Sequence, residues 1–312
     1  MENKILGIHH ITAIAGDPQS NFDFYSKVLG LRFIKKTVNF DDPGTYHFYF
    51  GDEVGSAGTV LTFFPWGAGI QQGRKGSGMA TEIGYSVPQG SLDFWVNRFE
   101  KHNIIYNKPA EKFGEKYLTF LDPDGLKLEL IESKPPDNRK PWETEEIKAN
   151  VALKGFHNIT LTLNSVSATA TILTQIFGYV LIDEDVNRYR YATTAVENAA
   201  IVDLVLLADE KKGHVAGGTV HHVAFRVRND DELLYFRQLV AELGLSITPR
   251  IDRQYFHSAY FREPGGVLFE IATDIPGFMT DETVENLGKE LKLPSQYEVR
   301  RKEIEEHLVK IN

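Results

Sequence analysis

Four segments of this chain open in the same way, and their spacing restricts the fold more than any other feature. HHITAI begins at His9, TEIGYSV at Thr81, HNITLTL at His157 and HHVAFRV at His221; aligned on His10, Glu82, Asn158 and His222, they recur after 72, 76 and 64 residues. A period this regular marks one supersecondary unit used four times. Each opening run reads as a strand. A helical pattern follows: Asp17-Pro18 starts one with Phe22, Tyr25, Val28 and Leu29 on a face and Gly30 at its end. In the fourth unit Asn229 can cap a helix carrying Leu233, Phe236, Leu239, Val240 and Leu243, stopped by Gly244. Three strand-like runs close each unit, at 31–38, 45–51 and 58–64 in the first and at 247–251, 259–262 and 267–272 in the last. The pattern predicts an α+β chain of four βαβββ modules.

With 312 residues, 42% hydrophobic and 12% aromatic, the chain can bury one large core or two medium ones. Modules one and two are expected to form a domain over 7–132 and modules three and four another over 153–275. Between them, 133–152 holds three prolines and dense charge and reads as a linker. In the tail, 276–312, Tyr297, Ile304, Leu308 and Ile311 lie at helical spacing. The Gly-rich stretch 66–78 lacks a phosphate-loop pattern and reads as a connector. A net charge of −9 argues against nucleic acid or anionic membranes as partners. No apolar run approaches the ~20 residues that span a bilayer, and MENKILGIHH lacks a signal-peptide core, so a cytoplasmic protein is expected. Without cysteine, any metal must be held by His, carboxylate or neutral oxygen.

Strand side chains alternate between faces, so each His-His pair can aim one imidazole at a shared interior. Glu270 is the single charge in the apolar run GGVLFEIAT. Two imidazoles and one carboxylate from separate strands suit a non-haem Fe(II) or Mn(II) oxygenase, because three protein ligands leave three of six positions open. The repeat tests this choice. At the position of His10 the modules carry His10, Glu82, Asn158 and His222; at that of Glu270 they carry Thr62, Glu129, approximately Asp203, and Glu270. Pairing one with two and three with four gives two sites with one His each. Pairing one with four and two with three gives one site with both His and Glu270, and a second with no His. The second pairing is expected, with Thr62 rather than a carboxylate in fourth place. Thr12, Ala224 and Ala272 flank the ligands and leave room for an aromatic ring, while Val223, Phe225, Phe269 and Ile271 face the helices.

Four such modules, with His on a first strand and Glu on a last, resemble the vicinal oxygen chelate superfamily, which includes extradiol dioxygenases and glyoxalases. The resemblance runs from about Gly7 to Ala272. Within it, HHIT, HHVA, SAYFREPGGVLFEIATD and the tail PGFMTDETVENLGKELKLPSQYEVRRKEIEEHL are most similar to ring-cleaving hydroquinone dioxygenases of the bacterial quinone and methylhydroquinone response. It implies two glyoxalase-like half-barrel pairs, and His10, His222 and Glu270 as ligands of Fe(II), with Mn(II) the second choice. It also implies that His9 and His221 reach the substrate as acid/base groups, although alternation should turn both from the metal. Arg253 would stabilise a deprotonated phenol, Tyr260 would hydrogen-bond it, and Thr12 would line the pocket. His257, an odd number of residues from Tyr260, should face away, and Glu82 and Glu129 should be structural carboxylates. The implied partners are a small aromatic and O2, cleaved and incorporated by a dioxygenase acting on a hydroquinone, with self-association left open. Catechol cleavage, a glyoxalase-like lyase and a metal-free aromatic-binding protein are the competing readings, separated by metal content and oxygen uptake.

Overall fold

A computed structural model describes residues 4–312. All four modules are βαβββ. The first holds β1 (Ile8–Ala15), α1 (Pro18–Asp23), β2 (Arg32–Asn39), β3 (Asp42–Gly51) and β4 (Val60–Pro65); the second β5 (Met79–Val87), α2 (Leu92–Lys101), β6 (Ala110–Lys112), β7 (Glu115–Leu121) and β8 (Lys127–Glu132). The third holds β9 (Gly155–Leu163), α3 (Ser167–Thr171), β10 (Tyr179–Asp185), β11 (Arg188–Thr193) and β12 (Ile201–Leu206). The fourth holds β13 (Thr219–Val227), α4 (Asp230–Glu242), β14 (Ile251–Asp252), β15 (Phe256–Arg262) and β16 (Leu268–Pro276). The expected caps are present: the Asp17 carboxylate accepts the Ser20 N–H, and the Asn229 side chain accepts that of Glu232. The run expected as a strand over 247–251 shrinks to β14 and a lone bridge from Ile247 to Phe261. Pro249 has no N–H to give a ladder there.

The strands form two eight-stranded sheets, ordered β14-β15-β16-β13-β1-β4-β3-β2 and β10-β11-β12-β9-β5-β8-β7-β6. Modules one and four build the first sheet and modules two and three the second. In each, two first strands meet antiparallel, β1 with β13 and β5 with β9, and each lies parallel to the last strand of its own module. One register holds throughout: Thr12 pairs with Thr62, Gly84 with Glu129, Thr160 with Asp203 and Ala224 with Glu270. Asp203 is therefore the true counterpart of Glu270.

Packing follows the alternation. Val223, Phe225, Phe269 and Ile271 are fully buried together with Leu233, Phe236 and Val240 of α4. Phe177 of module three packs on Phe225 at 4.8 Å between ring centroids, so the two sheets share core. Truncating Phe236 to Ala should cost about 3–5 kcal/mol. The stretch 133–152 is a brace rather than a free spacer: Arg139 donates to the carbonyls of Gly58 and Phe156, and Ile147 is buried. The tail covers an exposed sheet edge, the Lys292 N–H donating to the Lys36 carbonyl of β2 at 2.9 Å. It continues into α5 (Arg301–His307), which buries Ile304. The fully buried Lys35 anchors the tail through Asp281 at 2.7 Å and Glu282 at 2.5 Å.

Candidate metal centre

The pairing of modules one and four brings His10, His222 and Glu270 together across three adjacent strands. One ligand atom from each lies within 4.8 Å of the others, and all three residues are buried. Among the described residues this is the single group of three His, Asp or Glu side chains close enough to share an ion. The imidazole Nε2 atoms of His222 and His10 stand 2.8 and 3.3 Å from Glu270 Oε2. Burial pushes the Glu270 pKa up, but His10 and His222 outweigh it and hold the carboxyl well below the usual range. His222 Nε2 and both Glu270 oxygens are nevertheless buried without an aligned hydrogen bond. Buried polar atoms left unsatisfied are expensive. Atoms of this kind converging on one point fit a divalent cation, which would satisfy all of them.

The first His of each pair does not turn away as alternation required. The ladder between β1 and β13 skips a residue on each strand, at His9 and at His221, so both are bulge residues. A bulge breaks the two-residue period and re-aims the side chain. His9 Nδ1 lies 2.8 Å from His10 Nδ1, and His221 Nδ1 lies 2.8 Å from His222 Nδ1. A neutral ligand imidazole using Nε2 carries its proton on Nδ1. His10 and His222 would then donate to His9 and His221, which fixes ring orientation as outer partners of metal-bound histidines do. Burial and the neighbouring ligand push His9 and His221 down to about 3, so both stay neutral.

A cavity of about 320 Å³ opens onto the centre, walled by Phe40, Phe64, Trp66, Phe256, Ile251 and Leu268. His221, Arg253 and Tyr260 line it. His9 is not among its lining residues and packs instead on Phe256 at 5.4 Å. Tyr260 pairs with Glu270 across the strands, and Arg253 Nε donates to its hydroxyl at 3.3 Å. Arg253 Nη1 reaches Asp41 at 3.2 Å. His257 points away, to Asp230 at 2.7 Å. Thr12 does not line the cavity: the parallel register sets it beside Thr62, whose hydroxyl it meets at 2.7 Å, and it is fully buried there.

Sequence reasoning missed His47 and Tyr49. His47 Nε2 lies 2.9 Å from the Thr62 hydroxyl and Nδ1 lies 2.9 Å from the Tyr49 hydroxyl, and both residues line the cavity. Burial, then His10 and His222, holds His47 well below the usual imidazole range. Thr62 is therefore tied to Thr12 and His47 rather than free to act as a fourth ligand. The signal lay in β3, where Thr45, His47 and Tyr49 alternate with buried Tyr46, Phe48 and Phe50.

A pair of eight-stranded half-barrels built from four βαβββ modules, with one His-His-Glu centre, defines the class. The chain belongs to the Glyoxalase/Bleomycin resistance protein/Dioxygenase superfamily, whose profile matches residues 7–130 and 155–271. It is 47% identical over 309 residues to MhqO of Bacillus subtilis, named as a candidate ring-cleaving dioxygenase, covering 99% of this chain and 97% of that protein. It is 36% identical over 303 residues to a chlorohydroquinone/hydroquinone 1,2-dioxygenase of Sphingobium indicum, covering 96% and 94%. The crystal structure of a candidate dioxygenase from Bacillus subtilis superimposes with a TM-score of 0.95 at 46% identity, covering 100% of this chain and 99% of that one.

Proposed function

We propose that this protein is an Fe(II)-dependent dioxygenase that cleaves the ring of a hydroquinone, in aromatic degradation or quinone detoxification. The observation that carries the reading is the His10, His222 and Glu270 centre with its unsatisfied atoms, facing an aromatic-walled cavity while Thr62 is held out of fourth place. The names of the relatives agree with it. When bound, the ion supplies Lewis acidity, which lowers the pKa of a coordinated hydroxyl, and redox chemistry with dioxygen. Mn(II) fits the same donors.

The chain's own groups position the ring and handle its protons. The cavity is roughly twice the ~150 Å³ that holds a benzene, so it suits one substituted ring. Its aromatic walls exclude water, which strengthens the few polar contacts inside. Burial raises the Tyr260 pKa well above the usual phenol value, so Tyr260 remains a donor, and Arg253 beside it remains a cation. Together they offer hydrogen bonds to negative charge developing on a substrate oxygen. His221, neutral and with Nδ1 accepting from His222, carries its own proton on Nε2 and offers it as a hydrogen bond at the cavity wall. A glyoxalase-like reading would want a fourth protein ligand, and the hydrogen bonds on Thr62 count against it. Among the described residues no helix is long and apolar enough to cross a membrane. The deciding experiment is oxygen uptake by the Fe(II)-reconstituted protein, screened with hydroquinones, catechols and thiohemiacetals. Uptake is expected with hydroquinones; catechol-dependent uptake alone would refute the hydroquinone assignment, and no uptake at all would refute the dioxygenase.

A further inference from the structure

Apart from the metal ligands, the cavity is lined by two groups that carry full charge, Arg253 and Asp41, and they are paired. Asp41 comes from the turn between β2 and β3, 212 residues from its partner, and its side chain is 77% exposed. An ion pair this exposed contributes little to stability. Its placement at the cavity mouth does something else. A guanidinium recognises a carboxylate with two parallel N–H groups, either Nη1 with Nη2 or Nε with Nη2. Here Nη1 is taken by Asp41 and Nε by the Tyr260 hydroxyl, so neither two-pronged face is free. The turn itself is held in place, because the Tyr297 hydroxyl of the tail donates to the Phe40 carbonyl at 2.8 Å.

We infer that Asp41 is a specificity-determining residue: by pairing with Arg253 it makes the mouth of the cavity electrically neutral, so the site takes uncharged dihydroxylated rings and turns away rings bearing a carboxylate. This deepens the proposed hydroquinone reading and rests on it. Without Asp41, Arg253 would be an unpaired cation beside an aromatic pocket, which favours a ring carboxylate. With it, an anionic ring meets a like charge and a guanidinium already engaged.

The test is oxygen-free binding calorimetry on the full metal-loaded chain, with hydroquinone and 2,5-dihydroxybenzoate as probes. The parent should prefer hydroquinone by about tenfold or more. Asp41→Asn should narrow that preference about tenfold, equal to about 1.4 kcal/mol, mainly by tightening the carboxylated probe, and Asp41→Glu should keep the parent's preference. Raising ionic strength from about 0.05 to about 0.5 M should narrow the parent's preference more than that of Asp41→Asn, because the Debye length shrinks. A preference in Asp41→Asn within twofold of the parent's would overturn the inference. So would equal weakening of both probes, which would mean that Asp41 only holds the wall. Failure of oxygen uptake would count against the dioxygenase alone, since the preference is measured without turnover.

Discussion

The two sheets share strand order, register and even bulges, since Thr81 and His157 are skipped in the second ladder as His9 and His221 are in the first. They differ in what they gather at the centre. The first aims His10, His222 and Glu270 at one point. At the matching positions the second has Asn158, Glu82, Glu129 and Asp203, and supplies the cations itself. Lys112 pairs with Glu129, Lys127 with Glu82 at 2.5 Å, and Arg188 with Glu82 at 3.0 Å. Arg190 bridges Asp203 at 2.8 Å and Glu115 at 2.7 Å. Arg190 occupies the strand position that Tyr49 holds in the first sheet, each being paired with the last-strand residue of its module. Buried carboxylates need a compensating charge. One scaffold therefore surrounds its central carboxylates in two ways, with imidazoles in the first sheet and lysines and arginines in the second, and donor type rather than topology decides which half could hold a metal.

His10→Ala, His222→Ala and Glu270→Ala should each lower metal content from one ion per chain to near zero, an affinity loss on the order of a hundredfold or more, read by elemental analysis after dialysis. Glu129→Ala should retain the ion. Equal loss from Glu129→Ala would show that the second sheet is also a metal site.

That contrast was partly legible in the sequence because it rests on residue type at matched repeat positions. His10, His222 and Glu270 stand out once the modules are aligned, and the absence of His from the second set follows from the same alignment. The carboxylates Glu82 and Glu129 read as structural, and the structure gives each a lysine. The outer groups were not legible. Alternation fails at His9 and His221 because a bulge is set by the pairing of two strands about 210 residues apart, not by local pattern. Thr12 meets Thr62 rather than the cavity because the register of two parallel strands, which local pattern does not show, brings their hydroxyls together. Asp41 meets Arg253 only through the folded sheet.

The second sheet depends on its built-in cations. Arg190→Met takes from Asp203 and Glu115 the cation they share, leaving Asp203 with Arg188 at 3.6 Å and Glu115 with His157 at 3.1 Å, and breaking such a pair should cost about 3–5 kcal/mol in urea unfolding. Replacing Arg190, Asp203 and Glu115 together with apolar residues of similar volume should recover only part of that loss, because Asn158, Arg188 and His157 lose their acceptors. If Arg190→Met alone were neutral, the network would not be compensating charge.

Matching turns join the two sheets. The turn acid Asp122 accepts the Asp124 and Leu126 N–H groups and the Tyr25 hydroxyl at 2.9 Å; Glu263 accepts those of Gly265 and Val267 and the Thr169 hydroxyl at 2.7 Å. Burial pushes Asp122 up to about 7. The folded chain therefore keeps a proton between pH 4 and 7 that the unfolded chain has released. Stability from this group is full below pH 4 and falls as pH rises, by at most about 1.4 kcal/mol per unit. Asp122→Asn copies the protonated form, its oxygen accepting the two amides and its NH2 facing Tyr25. Its stability relative to the parent should rise between pH 4 and 7 and level off above; a flat difference across that range would rule out the proton.

The smallest effect compares one strand position in the two sheets. Tyr260 pairs with Glu270 and Thr119 with Glu129, so the two residues are structural equivalents. Tyr260 lines the cavity with its hydroxyl bonded to Arg253, whereas Thr119 lies in the sheet whose carboxylates are already matched by lysines and arginines. Removing one hydrogen-bond partner from a buried polar group costs about 1–3 kcal/mol. Tyr260→Phe should therefore lower kcat/KM for a hydroquinone roughly tenfold or more while metal content stays at one per chain. For a catechol, which can occupy two adjacent positions on one ion through both oxygens, the same change should matter less. Thr119→Val should leave turnover unchanged. A loss of metal in Tyr260→Phe would place the hydroxyl in support of Glu270 rather than of the substrate, and equal effects of Tyr260→Phe and Thr119→Val on turnover would erase the functional distinction between the two sheets.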